Sequence, residues 1–308
     1  MMMKTAVDMS VDIGGLVLKN PIMPASGAFG PEMNKAIDFN RLGAIVPKSI
    51  TMFPRPGNAT PRVCETPAGM INSIGIQSKG IKYYMENYVP FYSQYDPPLI
   101  SSLSADSIDQ FAEIAEIVTE SKDVDAIELN ISCPNLKGNG LAFGMDAEIT
   151  YNLVKKVRGV TDKPIITKLS PNVTSIQEIA IAAEAGGSDS LNVANTLLAM
   201  SIDVHTRRPK IGNIMGGLSG PATKPVIVRL IYQVAQVVKI PIIGCGGVMS
   251  GEDAIEMMLA GASAVQIGTA SFIQPDAMIR ILGEIELYME KYQIDDIKEL
   301  IGQVLINN

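Results

Sequence analysis

The sequence predicts an α/β fold: a (β/α)₈ barrel in one domain over 1–308, with a small N-terminal hairpin and a long excursion between strands two and three. Three observations predict it. Short β-rich apolar runs recur along the chain, and each is followed by a polar or Gly-containing turn. Stretches with helical spacing lie between them, and alternating strands and helices call for a parallel sheet with helices outside. At 308 residues, 47 % of them hydrophobic, the chain is long enough to bury a large core without needing a second domain. Eight such units at this length fit a closed barrel better than a doubly wound open sheet.

The eight runs are PIMPASG from Pro21, AIVPKSI from Ala44, PLISSL from Pro98, AIELNISC from Ala126, PIITKLS from Pro164, SLNVANT from Ser190, PIIGCGG from Pro241 and AVQIGTA from Ala264. Ile108, Phe111, Ala112, Ala115 and Val118 follow i, i+3, i+4 spacing behind Asp106, a residue of the N-cap type. Ile149, Leu153, Val154 and Val157 repeat the pattern, as do Ile176, Ile179, Ala180 and Ala183. VDIGGLVLKN reads as a hairpin closing the N-terminal mouth of the barrel. Met52 to Pro97, rich in Pro, Gly, Asn and Tyr, reads as loops over the active face.

Composition excludes several functions. Twenty-five Lys and Arg against 32 Asp and Glu give a net charge of -7, which repels a phosphate backbone and argues against nucleic acid. No apolar run is long enough for a signal peptide or a membrane span, so the reading is a soluble, cytoplasmic protein without a membrane partner. Cys64, Cys133 and Cys245 are too few and too widely spaced for a disulfide framework or a Cys-rich metal site. His205, the only histidine, excludes multi-His metal sites and reads as a surface residue; no metal is expected.

In such a barrel, reactive residues stand at the C-terminal ends of strands. Here those ends carry Ser26, Lys48, Ser102, Asn130 with Cys133, Lys168, Asn195 with Thr196, Gly246 with Gly247, and Gly268 with Thr269. Small residues ahead of helices on strands seven and eight suit a phosphate. Lys48 and Lys168 end apolar strands, where an ammonium is costly unless it faces an anion or a polar ligand. An ion pair with Glu128 would also satisfy such a lysine, and a Schiff base is a further possibility. Cys133 is a thiol at the edge of a Gly-rich loop, placed to take a proton from carbon, whereas Cys64 and Cys245 read as packing. Asn72, Asn130, Asn135 and Asn195 group on the active face, and their amides suit a planar ligand edged with C=O and N–H, as in a pyrimidine.

NSIGIQ at Asn72, ELNISCPN at Glu128, KLSPN at Lys168, VANT at Val193, GGLSGPA at Gly216 and GCGG at Gly244 together resemble the dihydroorotate dehydrogenases over essentially the full chain. The resemblance implies an FMN-binding barrel that oxidises dihydroorotate to orotate in de novo UMP synthesis. It assigns Cys133 as the base at C5 and puts Lys168 beside the flavin ring. Lys48 would contact both flavin and substrate. Asn72, Ser73, Ile74, Gly75, Ile76, Asn130, Asn135, Asn195 and Thr196 would hold substrate. Gly246, Gly247, Gly268 and Thr269 would take the FMN phosphate, with Ser26, Ser49, Ser102, Asn130, Ala194 and Gly220 as further flavin contacts. HTRRPKIGNIMGGLSGPA looks like the NAD-linked two-subunit branch, class 1B, more than the fumarate-linked homodimers. That branch implies a homodimer core binding a partner subunit with FAD and a 2Fe-2S cluster, in a heterotetramer. A dihydropyrimidine dehydrogenase type of subunit, acting on uracil or thymine, resembles the same barrel and stays open at this point, as does the fumarate-linked class.

Overall fold

Seven of the eight expected strands hydrogen-bond side by side in one parallel sheet in the computed structural model, which describes residues 7–132 and 143–306. Across the sheet they run Ile22–Pro24, Ala264–Ile267, Ile242–Cys245, Ser190–Val193, Ile165–Lys168, Ala126–Asn130 and Ile100–Leu103. The remaining run, from Ala44, makes only two parallel bridges, Ile45 to Leu99 and Ile50 to Leu103. Pro47 stands in its middle and has no N–H for a ladder. On its other side Gly43 donates to the Ile22 carbonyl at 2.8 Å, so this interrupted strand closes the ring between the first strand and the third.

Ile100, Ile127, Leu129, Ile165, Ile166, Leu191, Val193, Ile243, Val265 and Ile267 are all fully buried, as expected for strands covered on both faces. Among the helices outside them, Ala147–Arg158 starts where the Asp146 carboxylate accepts from the Ile149 N–H, and Ile176–Gly186 ends on Gly187 in the left-handed region. Helix Ile108–Thr119 begins one residue later than the sequence suggests. Ser107, in extended backbone, accepts from Gln110 N–H at 3.2 Å, while Asp106 is turned to an ion pair with Arg55.

The N-terminal hairpin is present as Val11–Asp12 paired with Val17–Leu18. A methyl group at Gly14 would lie 2.2 Å from the Asp189 carbonyl oxygen. Asp189 immediately precedes the Ser190–Val193 strand, which sets the hairpin against the N-terminal end of the barrel, opposite the strand ends that carry the polar residues.

The excursion is more ordered than loops. It holds strands Val63–Thr66 and Gly69–Asn72 and a helical stretch within 81–92. A second excursion, which strand and helix periodicity does not reveal, leaves the barrel after Val193 and supplies Leu197–Ala199 and Gly216–Ser219. The two combine in one antiparallel sheet, ordered Leu197–Ala199, Gly216–Ser219, Gly69–Asn72, Val63–Thr66. Val63–Thr66 and Gly69–Asn72 form a local hairpin, but the pairing that joins the two excursions, Asn72 with Gly217, is distant in sequence, so no local pattern announces the sheet. His205 is exposed, as expected.

Leu153 on helix Ala147–Arg158 is fully buried, whereas Ile181 on helix Ile176–Gly186 is 47 % exposed. Leu153→Ala is expected to cost about 2–5 kcal/mol in denaturant unfolding and Ile181→Ala no more than about 0.5 kcal/mol, a contrast that tests the assigned inner faces.

Candidate functional site

Three groups of polar residues meet at the C-terminal ends of the strands. The uppermost is a chain of hydrogen bonds running from strand to strand. Ser102 and Ser49 share a hydroxyl contact of 2.9 Å, and Asn130 Nδ2 donates to Ser49 Oγ at 3.3 Å. Asn195 Nδ2 donates to Asn130 Oδ1 at 3.1 Å, and Asn195 Oδ1 accepts from its neighbour's N–H at Thr196. Asn172 ties off the end, donating to the Thr196 carbonyl at 3.0 Å and accepting from Leu198 N–H at 2.8 Å. Each link fixes which way an amide faces, and among the described residues Asn130 and Asn195 each engage only one of their two side-chain N–H groups.

Below it, in the barrel interior, Lys168 is 4 % exposed. Its Nζ donates to Gln266 Oε1 at 2.9 Å and lies 3.5 Å from Cys245 Sγ. Asn192 and Gln266 both donate to Glu128 Oε2, at 2.8 and 2.7 Å, and Asn192 also donates to Gln266 Oε1 at 2.7 Å. Burial alone pulls the Lys168 pKa down, but Cys245 and Glu128 outweigh it and hold the lysine above its ordinary value, as an ammonium. Burial pushes the Cys245 thiol up, so the sulfur stays protonated near neutrality.

The third group comes from the last two strands and the excursion sheet. Gly246 and Gly247 have φ of +137° and +83°, and a methyl group at Gly247 would lie 2.6 Å from the Lys224 backbone nitrogen. No side chain fits there without moving the backbone. On the adjacent strand Gly268 is followed by Thr269, whose hydroxyl donates to Ser219 Oγ at 2.8 Å, with Gly220 alongside. Ser26 and Ala194 are buried at the ends of their strands, and Ala194 N–H donates to the Cys245 carbonyl at 3.0 Å.

The excursion sheet carries Asn72 toward the amide chain. Asn72 pairs with Gly217, and a methyl on Gly217 would sit 2.0 Å from Thr196 Oγ1, so Asn72 and Thr196 border the same glycine. The turn that follows is held by Ser73, whose hydroxyl accepts from Asn58 at 2.8 Å and Asn213 at 3.0 Å; Gly75 and Ile76 both have positive φ. Ser73 is therefore engaged in holding this turn, through Ile74, Gly75 and Ile76, in shape.

Lys48 is half-buried and has no hydrogen bond or ion pair among the described residues. Desolvation depresses its pKa. An ammonium placed this way carries a desolvation cost that an anion facing it would offset. Cys133 and Asn135 lie outside the described residues.

The structure adds residues that sequence reasoning passed over. Asn192 and Gln266 sit inside apolar strand runs, where a buried polar side chain is the signal that could have found them. Asn172 reads as a turn residue in SPN, and Glu128 as a direct ion-pair partner for a lysine. Gln266 instead stands between Glu128 and Lys168. Cys245 is buried, but it packs its sulfur against Lys168.

A family model described as dihydroorotate dehydrogenase matches residues 8–289. The chain is also similar to three proteins each named dihydroorotate dehydrogenase B (NAD(+)), catalytic subunit. It is 48 % identical to that of Alkaliphilus metalliredigens over 97 % of this chain and 100 % of the relative. It is 48 % identical to that of Geobacter metallireducens, over 97 % and 99 %, and 48 % identical to that of Porphyromonas gingivalis, over 97 % and 98 %.

Because burial lowers the Lys48 pKa, the unfolded chain binds more protons than the folded one between the depressed value and 10.5, and folding pays for the buried charge below that window. Lys48→Met is therefore expected to unfold at higher temperature than wild type at neutral pH, with the gain shrinking as pH rises toward 10. A lower midpoint for the variant at pH 7 would contradict the placement.

Proposed function

The chain belongs to the dihydroorotate dehydrogenase family of flavin-dependent oxidoreductases, and from that premise we propose that it is the FMN-bearing catalytic subunit of an NAD-linked dihydroorotate dehydrogenase. It would act in the cytoplasm, in pyrimidine synthesis leading to UMP. The observation that carries the reading is Lys48, a half-buried ammonium without a partner among the described residues, whose chain neighbour Ser49 belongs to a pre-ordered row of hydroxyls and amides. A pyrimidine with an exocyclic carboxylate matches both parts.

The residues present fit FMN. Gly246 and Gly247, both at positive φ, would offer backbone N–H groups to the phosphate at the strand end, with Gly268, Thr269 and Gly220 completing the site. The buried Lys168 ammonium has two of its three N–H donors engaged among the described residues and suits a flavin ring that gains negative charge on reduction. FMN, when bound, supplies the hydride acceptor for C6 of dihydroorotate.

The remaining work falls to the chain's own residues. Asn130 and Asn195, locked by the hydrogen-bond chain, orient the imide edge of the substrate with Thr196 and the Asn72–Ile76 turn. Lys48 holds the carboxylate and Cys133 removes the proton from C5, which with the hydride from C6 completes a two-electron oxidation to orotate. Asn135 adds to the substrate contacts, while Ser26, Ser49, Ser102 and Ala194 line the flavin. Electrons then leave for NAD through a partner subunit bearing FAD and a 2Fe-2S cluster, docked on a homodimer of this chain in a heterotetramer.

Anaerobic mixing of the purified chain with dihydroorotate is expected to bleach the flavin band; fumarate then fails to restore it, and NAD restores it only after the partner subunit is added. Reoxidation by fumarate alone would assign the homodimeric class, and a colourless chain or an unbleached flavin would overturn the proposal. Cys133→Ala is expected to slow bleaching about 10²–10⁴-fold. The wild-type rate should rise with pH toward the thiol's pKa, about 8.5 when unperturbed, and the variant should lose that limb.

A further inference from the structure

We propose that Gln266 is the positioning residue for Lys168: an amide that couples the lysine ammonium to the Glu128 carboxylate and fixes where its Nζ points. Gln266 is 1 % exposed and Glu128 is fully buried, so neither can exchange these partners for water. An ionised carboxylate only accepts, so the Gln266 group facing Glu128 at 2.7 Å is its NH₂. The amide oxygen must then face the other way, where it accepts from Lys168 at 2.9 Å and from Asn192 at 2.7 Å. The orientation of one amide is thus dictated by the charge on one side and read by the charge on the other.

The arrangement also accounts for an ammonium inside the barrel with no direct ion pair among the described residues. Facing Lys168 from the surrounding strands are neutral Gln266 and the Cys245 thiol, with Glu128 one amide away; Asn192 closes the ring by donating to both Glu128 and Gln266. Charge compensation without contact leaves one N–H of Lys168 without a partner among the described residues. A direct carboxylate would have competed with any ligand for that donor. The consequence for a flavin rests on the function proposed above; the positioning of Lys168 does not.

The test compares wild type, Gln266→Met and Glu128→Gln in two measurements. In the flavin-free chain, lysine-selective ¹⁵N NMR follows the Lys168 ammonium signal from pH 7 to 10. Wild type is expected to keep it throughout, and both variants to lose it within that range, a shift of at least about tenfold in proton affinity. In the FMN-loaded chain, the preference for reduced over oxidised flavin is expected to fall about tenfold in Gln266→Met, or about 30 mV in the two-electron midpoint potential. Glu128→Gln, close to isosteric, carries the comparison if Gln266→Met does not fold. An unchanged Lys168 titration in a folded variant overturns the positioning, and a shifted titration with an unchanged potential overturns its effect on the flavin. A shifted titration in a chain that takes up no FMN upholds the positioning and defeats the proposed function instead.

Discussion

A lysine ammonium buried in a closed barrel is the constraint on which the site depends. Removing such a charge from water costs several kcal/mol unless the protein supplies compensation, and apolar strands have none to give. The chain answers with polar residues inside its strands: Glu128, Asn192 and Gln266, all essentially inaccessible and hydrogen-bonded to one another. Because they belong to different strands, the network also fixes those strands relative to one another. Local stability and the electrostatics of the site are set by the same atoms.

Above this layer the demands differ. A ligand-binding edge needs donors and acceptors in known orientation, and an isolated asparagine on a loop does not provide it. The chain Ser102, Ser49, Asn130, Asn195, Thr196, Asn172 does so by making each group the partner of the next. The two excursions complete the wall. Their strands pair through Gly217, whose lack of a side chain leaves room for Thr196 while Asn72 pairs with it. Lys48 has no hydrogen bond or ion pair among the described residues, and under the proposed function it supplies the positive charge that this edge offers to a ligand.

The barrel was legible because its signals are local. Each strand run and each helix announces itself by composition and period within about ten residues, and the strand-end rule then placed Ser26, Lys48, Asn130, Lys168, Asn195 and the paired glycines on one face. The strand from Ala44 was found by the same rule, although Pro47 reduces it to two bridges. What the sequence hid was non-local. Val63–Thr66 and Leu197–Ala199 belong to one sheet only because strands distant in the chain pair between them. Gln266 and Asn192 lie within apolar runs, and the partner that gives them a role, Glu128, is on a different strand. Asp106 lost its expected capping role for a similar reason, since Arg55 reaches it from the excursion.

The central claim is that the oriented amides together with Lys48 select a planar pyrimidine that carries an anion. Titrating the FMN-loaded chain with orotate and with uracil, read through the flavin absorbance, tests this most directly because the two ligands share the imide edge and differ in the carboxylate. A hydrogen bond to a charged group is worth about 1.5–3 kcal/mol, so orotate is predicted to bind at least about tenfold more tightly than uracil. The gap is predicted to close when Lys48 is replaced by Met. Equal affinities in the wild type, or a preference for orotate that survives the loss of Lys48, would contradict the account.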